Sequence, residues 1–239
     1  MNRLRTIATR GDTPVLAMSI ATGALVALLI AGFEYLTDSV LLERLSHRPL
    51  WQIALAPAIG LLLATLILRW AGRGLGSATS DEFIRVYHER TPRLPLRDLP
   101  AKFLAGVATI GFGGALGLEG PSIYMGSTTG LAVHDRFRRW LRREDVRILL
   151  TAGAAAGVAA VFKAPATGVL FALEAPYRDD VTRRALIPSL LAAATSYVTY
   201  INIIGPDSVI PFLNDPESRL GLNLIDAPLF TEDGLVWIH

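Results

Sequence analysis

Three windows of this chain, residues 15–36, 51–70 and 185–204, are each apolar enough and long enough to cross a lipid bilayer. A hydrocarbon core about 30 Å thick takes roughly 20 apolar residues of helix. Within it, every backbone N–H and C=O must be satisfied inside the protein. That requirement excludes most soluble architectures and predicts an all-α membrane protein. Composition agrees: 51% of the 239 residues are hydrophobic and 18% are charged, against about a quarter charged in an ordinary soluble domain.

Between the second and third windows lie four apolar stretches too short or too interrupted to span alone: 101–116, 121–133, 148–160 and 165–174. Each is bounded by Gly or Pro. Broken helices at membrane depth are tolerated only where protein or an aqueous cavity surrounds them, so the pattern predicts broken and re-entrant helices of a transport fold rather than an anchor. Small residues recur at four-residue spacing as Gly113 and Gly117, Gly126 and Gly130, and Gly153 and Gly157. Packing alone accounts for such pairs, because they let helices approach closely in lipid.

Charge placement orients the chain, since cytoplasmic segments carry the Lys/Arg excess. With the N-terminus inside, 101–133 as a re-entrant pair and 148–174 as a second hairpin, every basic residue except Arg44, Arg48, Lys163 and Arg219 falls on the cytoplasmic side. Residues 1–14 are then a cytoplasmic N-terminus. The short basic start followed by a long apolar run predicts a retained first helix, not a cleaved leader. Residues 80–90 are amphipathic and too polar to span, which predicts a short helix at the cytoplasmic face. Residues 205–239, with Pro206, Pro211, Pro216 and Pro228, read as an extracellular loop and the truncated start of a further helix.

Several function classes drop out. With no cysteine there is no disulfide framework, thiolate metal site or Cys nucleophile. His47, His88, His134 and His239 lack metal-ligand spacing, and neither a Gly-x-Ser-x-Gly elbow nor a phosphate-binding Gly-x-x-x-x-Gly-Lys occurs. An enzyme, a bound cofactor and a resident metal are therefore not expected. A net charge of +2, with no basic tract interleaved with aromatics, gives no footprint for nucleic acid.

The run 111–130, GFGGALGLEGPSIYMGSTTG, interrupts an apolar stretch with a carboxylate and a proline. Pro121 suits the first turn of a helix, where its missing N–H costs nothing, so Glu119 falls just before a helix start. The free N–H groups and positive dipole end of a buried helix form an anion site. A carboxylate there either occupies the site itself or swings away and leaves it to a small anion, and protonation favours the swing. The alternative is a capping carboxylate with a fixed partner. Ser77, in Gly74-Leu75-Gly76-Ser77, can offer its hydroxyl to an anion, or Ser77 or Ser80 can serve as an N-cap, with Ser80 favoured. Lys163, at the tip between two apolar segments, is expected to snorkel to the interface. Glu174 is expected to pair with the basic group Arg178, Arg183 and Arg184.

These stretches, in this order, resemble the chloride channel (CLC) family of anion channels and proton-coupled exchangers. The likeness covers about residues 15–204 and is strongest at 111–130 and 152–175. It implies that the chain is the N-terminal half of a fold built from two inverted halves. It also implies a homodimer in which each subunit carries its own pore for a small anion such as chloride. In the family motif Gly-(Lys/Arg)-Glu-Gly-Pro the glutamate is the gate; here Glu119 takes that place, with Leu118 for the basic residue. Gly76 and Ser77 match the start of the family's Gly-Ser-Gly-Ile-Pro motif, whose serine coordinates the anion. The resemblance thus implies an anion site of Gly76, Ser77, Gly117, Gly120 and Pro121. Exchangers of the family carry two adjacent glutamates after a Phe-x-x pattern, the second accepting protons. Here Glu174 is followed by Ala175, leaving Glu174 as the remaining acid on a proton pathway. Gated passage of chloride is the leading expectation, with proton-coupled exchange as its alternative and a non-transporting scaffold as a third reading. The expected partners are the bilayer, the anion and a second copy of the chain, in a bacterial inner membrane.

Overall fold

The structure, a computed structural model, describes residues 13–176 and 183–205. The expectations for residues 1–12, for Arg178 and for 206–239 lie outside the described residues. The first apolar helix does not end at residue 36. α1 (Thr13–Glu34) runs on through a π-helical stretch, Tyr35–Leu42, into α2 (Glu43–Ser46), giving 34 continuous residues. At the change of pitch the Thr37 hydroxyl donates to the carbonyls of Phe33 and Glu34, each at 3.0 Å.

α3 (Leu50–Trp70) follows, then the short α4 (Ser80–His88), α5 (Leu99–Gly111), α6 (Glu119–Phe137), α7 (Asp145–Phe162), α8 (Pro165–Glu174) and α9 (Arg183–Ile204). Four helices are long and apolar enough to cross a membrane among the described residues, one more than the apolar windows gave. The addition is α7, read from sequence as too short at 148–160. It starts instead at Asp145, whose carboxylate accepts the backbone N–H of Arg142 at 2.7 Å. Charged residues at its water-facing end lengthen the helix without adding to its apolar count.

The core is centred on α6 and α7. Gly126 and Gly153 face one another so closely that a Cβ on either would collide with the carbonyl of the other, and one at Gly157 would collide with Ser122. Two of the three glycine pairs are thus packing contacts between backbones. The third pair is not: Gly113 and Gly117 lie in the irregular stretch between α5 and α6, where no helix is present to pack through them. Phe33, Ile123, Tyr124, Met125, Leu149 and Leu150 fill the space around the crossing. α1 closes on α9 where Gly23 meets the Ala192 carbonyl.

α3 is different in kind. It buries a stripe of small residues, Ala56, Gly60 and Ala64, and exposes Leu55, Ile59, Leu62 and Leu66. Gly60 lies against Ala108 and Phe112, at the α5 side.

α4 buries Phe83, Val86 and Tyr87, while exposed Arg85 pairs with Glu82 at 3.3 Å and with Glu89. Thr79, not Ser80, is its N-cap, and no side-chain capping bond forms; Ser80 is the first helical residue. The ion pair expected for Glu174 is also not the one formed by Arg184, which holds Glu144 at 3.0 Å. The chain reversal beyond Phe162 brings Arg184 to the α6–α7 connection instead. Lys163 caps α7 in the left-handed region (φ 52°) and is half-buried.

Candidate functional site

α6 begins at Glu119, in its first turn, with Pro121 two residues on. The Ser122 hydroxyl donates to the Glu119 carbonyl at 2.8 Å. The Glu119 side chain is exposed, and its carboxylate folds back over Gly117 so tightly that a Cβ there would collide with it. The absence of a side chain at Gly117 leaves the carboxylate room beside its own helix start. A Cβ on Gly120 would meet Thr79 Oγ1 at 2.6 Å. Two stretches about forty residues apart in sequence, the turn before α4 and the start of α6, thus abut at this glycine.

One buried cation fastens the turn. Lys102 on α5 is only 7% exposed. Its ammonium donates to the Gly76 carbonyl at 2.6 Å, to the Ala78 carbonyl, and to Glu82 Oε2 at 3.3 Å. It also lies 5.0 Å from the centre of the Tyr124 ring on α6, a separation at which a cation is attracted to the ring face. Burying an ammonium is tolerated only when it is paired and hydrogen-bonded, and here carbonyls, a carboxylate and a ring all contribute.

Ser77, Thr79, Lys102, Gly117, Glu119, Gly120 and Pro121 line one cavity of about 510 Å³, closed on its apolar side by Leu61, Ala64 and Leu68 of α3. Five of the residues singled out from sequence meet there. Gly76 contributes its carbonyl to Lys102 rather than a wall of the cavity. Glu174 is not part of it: it ends α8 and is exposed, with half-buried Ala175 after it. Sequence reasoning missed Lys102, which counts there as one more cytoplasmic cation. The available signal was a lone lysine at the head of an apolar stretch, where a charge carries a functional meaning by default. Thr79 was missed too, since only the approach of Gly120 singles it out.

Chemically, the cavity places hydroxyls, the N-terminal dipole of α6 and the positive field of Lys102, whose own donors are taken by Gly76, Ala78 and Glu82, beside one carboxylate. This is a set that attracts a small anion and can be occupied by its own acid. Among the described residues no three His, Asp or Glu side chains gather as metal ligands do.

The family model described as the voltage gated chloride channel matches residues 59–231. Among curated proteins, the chain is 34% identical to the H(+)/Cl(-) exchange transporter ClcA of Vibrio cholerae, over 93% of this chain and 50% of that protein. It is 30% identical to the same-named transporter of Yersinia pseudotuberculosis, over 98% and 52% respectively. Among solved structures, a slow cyanobacterial Cl−/H+ antiporter superimposes with a TM-score of 0.67 at 27% identity, over 82% of this chain and 48% of that one. A CLC-type fluoride/proton antiporter gives 0.67 at 28% identity, over 82% and 49%. The chain spans about half the length of the curated relatives it matches.

Proposed function

Because the chain belongs to the voltage-gated chloride channel family, we propose that it supplies the N-terminal half of a proton-coupled anion exchanger, with Glu119 as the gate of its anion path. The observation that carries this reading is the meeting of Glu119, Ser77 and the buried Lys102 in one cavity at the start of α6. With its carboxylate beside Gly117, Glu119 stands at the helix start, where it competes with an anion. Protonation weakens that hold, and an anion takes its place beside the Ser77 hydroxyl. Proton and anion then compete for one position, which is the elementary requirement for exchange.

Sequence alone favours gated passage of chloride, chiefly because Ala175 removes the usual inner acid. The relatives, named as exchangers with protons, favour coupling instead. Glu174, exposed at the end of α8 beside Ala175, is the acid assigned to the inner proton step. The anion is chloride or fluoride, the two named for the relatives. The complete protein is read as a homodimer in a bacterial inner membrane.

The experiment is proton movement in liposomes containing the complete protein under an outward chloride or fluoride gradient. Uphill proton movement, lost in Glu174→Gln, is the expected result. Anion flux without proton movement would return the assignment to a gated channel.

A further inference from the structure

A second cavity, of about 770 Å³, lies where α4 and α6 end and α7 begins, and the anion path makes no use of it. Arg90 and Arg93 line it from the stretch after α4, and Arg138, Arg142 and Arg143 from the connection between α6 and α7. Its walls are fastened. The Arg147 guanidinium donates to the carbonyls of Tyr87 and Glu89 at 3.0 and 2.9 Å, tying the end of α4 to α7. The bond from Arg142 N–H to Asp145 fixes the connection itself. These bonds hold in place the backbone segments that carry the arginines.

The charges inside are poorly balanced. Among the described residues Arg90, Arg93, Arg138 and Arg143 make no ion pair, while neighbouring carboxylates are already engaged: Glu89 by Arg85, and Glu144 by Arg184. Asp135 is the one carboxylate in the lining, and it lies 3.3 Å from His134. Guanidinium groups present forked donors that match phosphate oxygens two at a time. Close by, exposed Trp140 stacks on Phe137 with ring centres 5.7 Å apart. Aromatics of this kind mark the level at which embedded helices meet lipid head groups.

We propose that this cavity is a binding site for the phosphates of an anionic phospholipid head group, two phosphates being within its size and charge. Basic pockets between helices at the membrane surface take such head groups. A soluble diphosphate shares the phosphate chemistry, and the exposed Trp140, two residues from Arg138 and next to Leu141 of the lining, favours the lipid. The proposal does not depend on which ion the protein moves.

The test is native mass spectrometry of the full-length protein in detergent, titrated separately with cardiolipin, phosphatidylcholine and inorganic pyrophosphate. Cardiolipin is expected to bind tightest. The triple variant Arg93→Gln, Arg138→Gln and Arg143→Gln should weaken it about a hundredfold, at the strength usual for one cation near a lipid surface taken three times. The single variant Arg138→Gln should give a smaller loss in the same direction, and melting in phosphatidylcholine checks that both variants are folded. Equal binding of cardiolipin and phosphatidylcholine, or unchanged cardiolipin binding in folded variants, would overturn the site. Pyrophosphate binding that depends on these arginines while cardiolipin binding does not would overturn the lipid assignment.

Discussion

The two walls of the Glu119 cavity are held in unlike ways. The start of α6 rests on α7 through backbone contacts at Gly126, Gly153 and Gly157, which leave no room for a side chain. The turn at residues 76–79 hangs from a single ammonium, that of Lys102. One wall is stiff because whole helices would have to separate to move it. The other is more adjustable, because its shape depends on one side chain, whose charge-assisted hydrogen bonds are worth about 1.5–3 kcal/mol each. For the proposed gate, whose carboxylate leaves and returns, a stiff wall to carry the helix dipole and a softer one to admit the anion is a workable division.

Substitutions can break or sharpen this contrast. The largest effect is expected at the stiff wall. Gly153→Leu puts a side chain where the Gly126 carbonyl lies, and overpacking of this kind costs about 3 kcal/mol or more. Thermal melting of the purified protein should fall steeply; an unchanged melting temperature would mean that the helices are not in backbone contact. Next comes Lys102→Met, which strips the donor from the Gly76 and Ala78 carbonyls and the partner from Glu82, at about 1–3 kcal/mol. It should weaken anion binding by calorimetry more than it lowers the melting temperature. An equal loss in both would remove the distinction between the walls. Ser77→Ala should leave stability within about 0.5 kcal/mol, because Ser77 is exposed. The same change should weaken anion binding about fivefold, the worth of one hydroxyl donor. The smallest effect is expected on the exposed side of α3, where Leu62→Ala shortens a side chain that is 62% exposed and should change neither measurement.

The same contrast explains what was legible in the sequence. The spans of α1, α3 and α9, and the helix start at Glu119, rest on local signals: a run of apolar residues, or a proline after a carboxylate. The glycine contacts between α6 and α7 were visible as a spacing, because small residues in lipid have few other uses. Gly113 and Gly117 show the same spacing and do something else, since whether a helix is present there is decided by the irregular stretch around them. Lys102 was illegible as the fastening of the turn, because its partners there, Gly76 and Ala78, lie more than twenty residues away and bond through backbone carbonyls, which carry no residue-specific signal. The true length of α7 was hidden because its first turn is polar.

Glu119 tests the account most directly. Anion flux through liposomes containing the complete protein should be measured across pH for the native chain and for Glu119→Gln. The account predicts that the native flux changes with pH and that the variant, whose amide imitates a permanently protonated gate, moves anion at a rate independent of pH and moves no protons. Flux and pH response identical to those of the native protein would contradict it, and Glu119 would then be a fixed cap on α6.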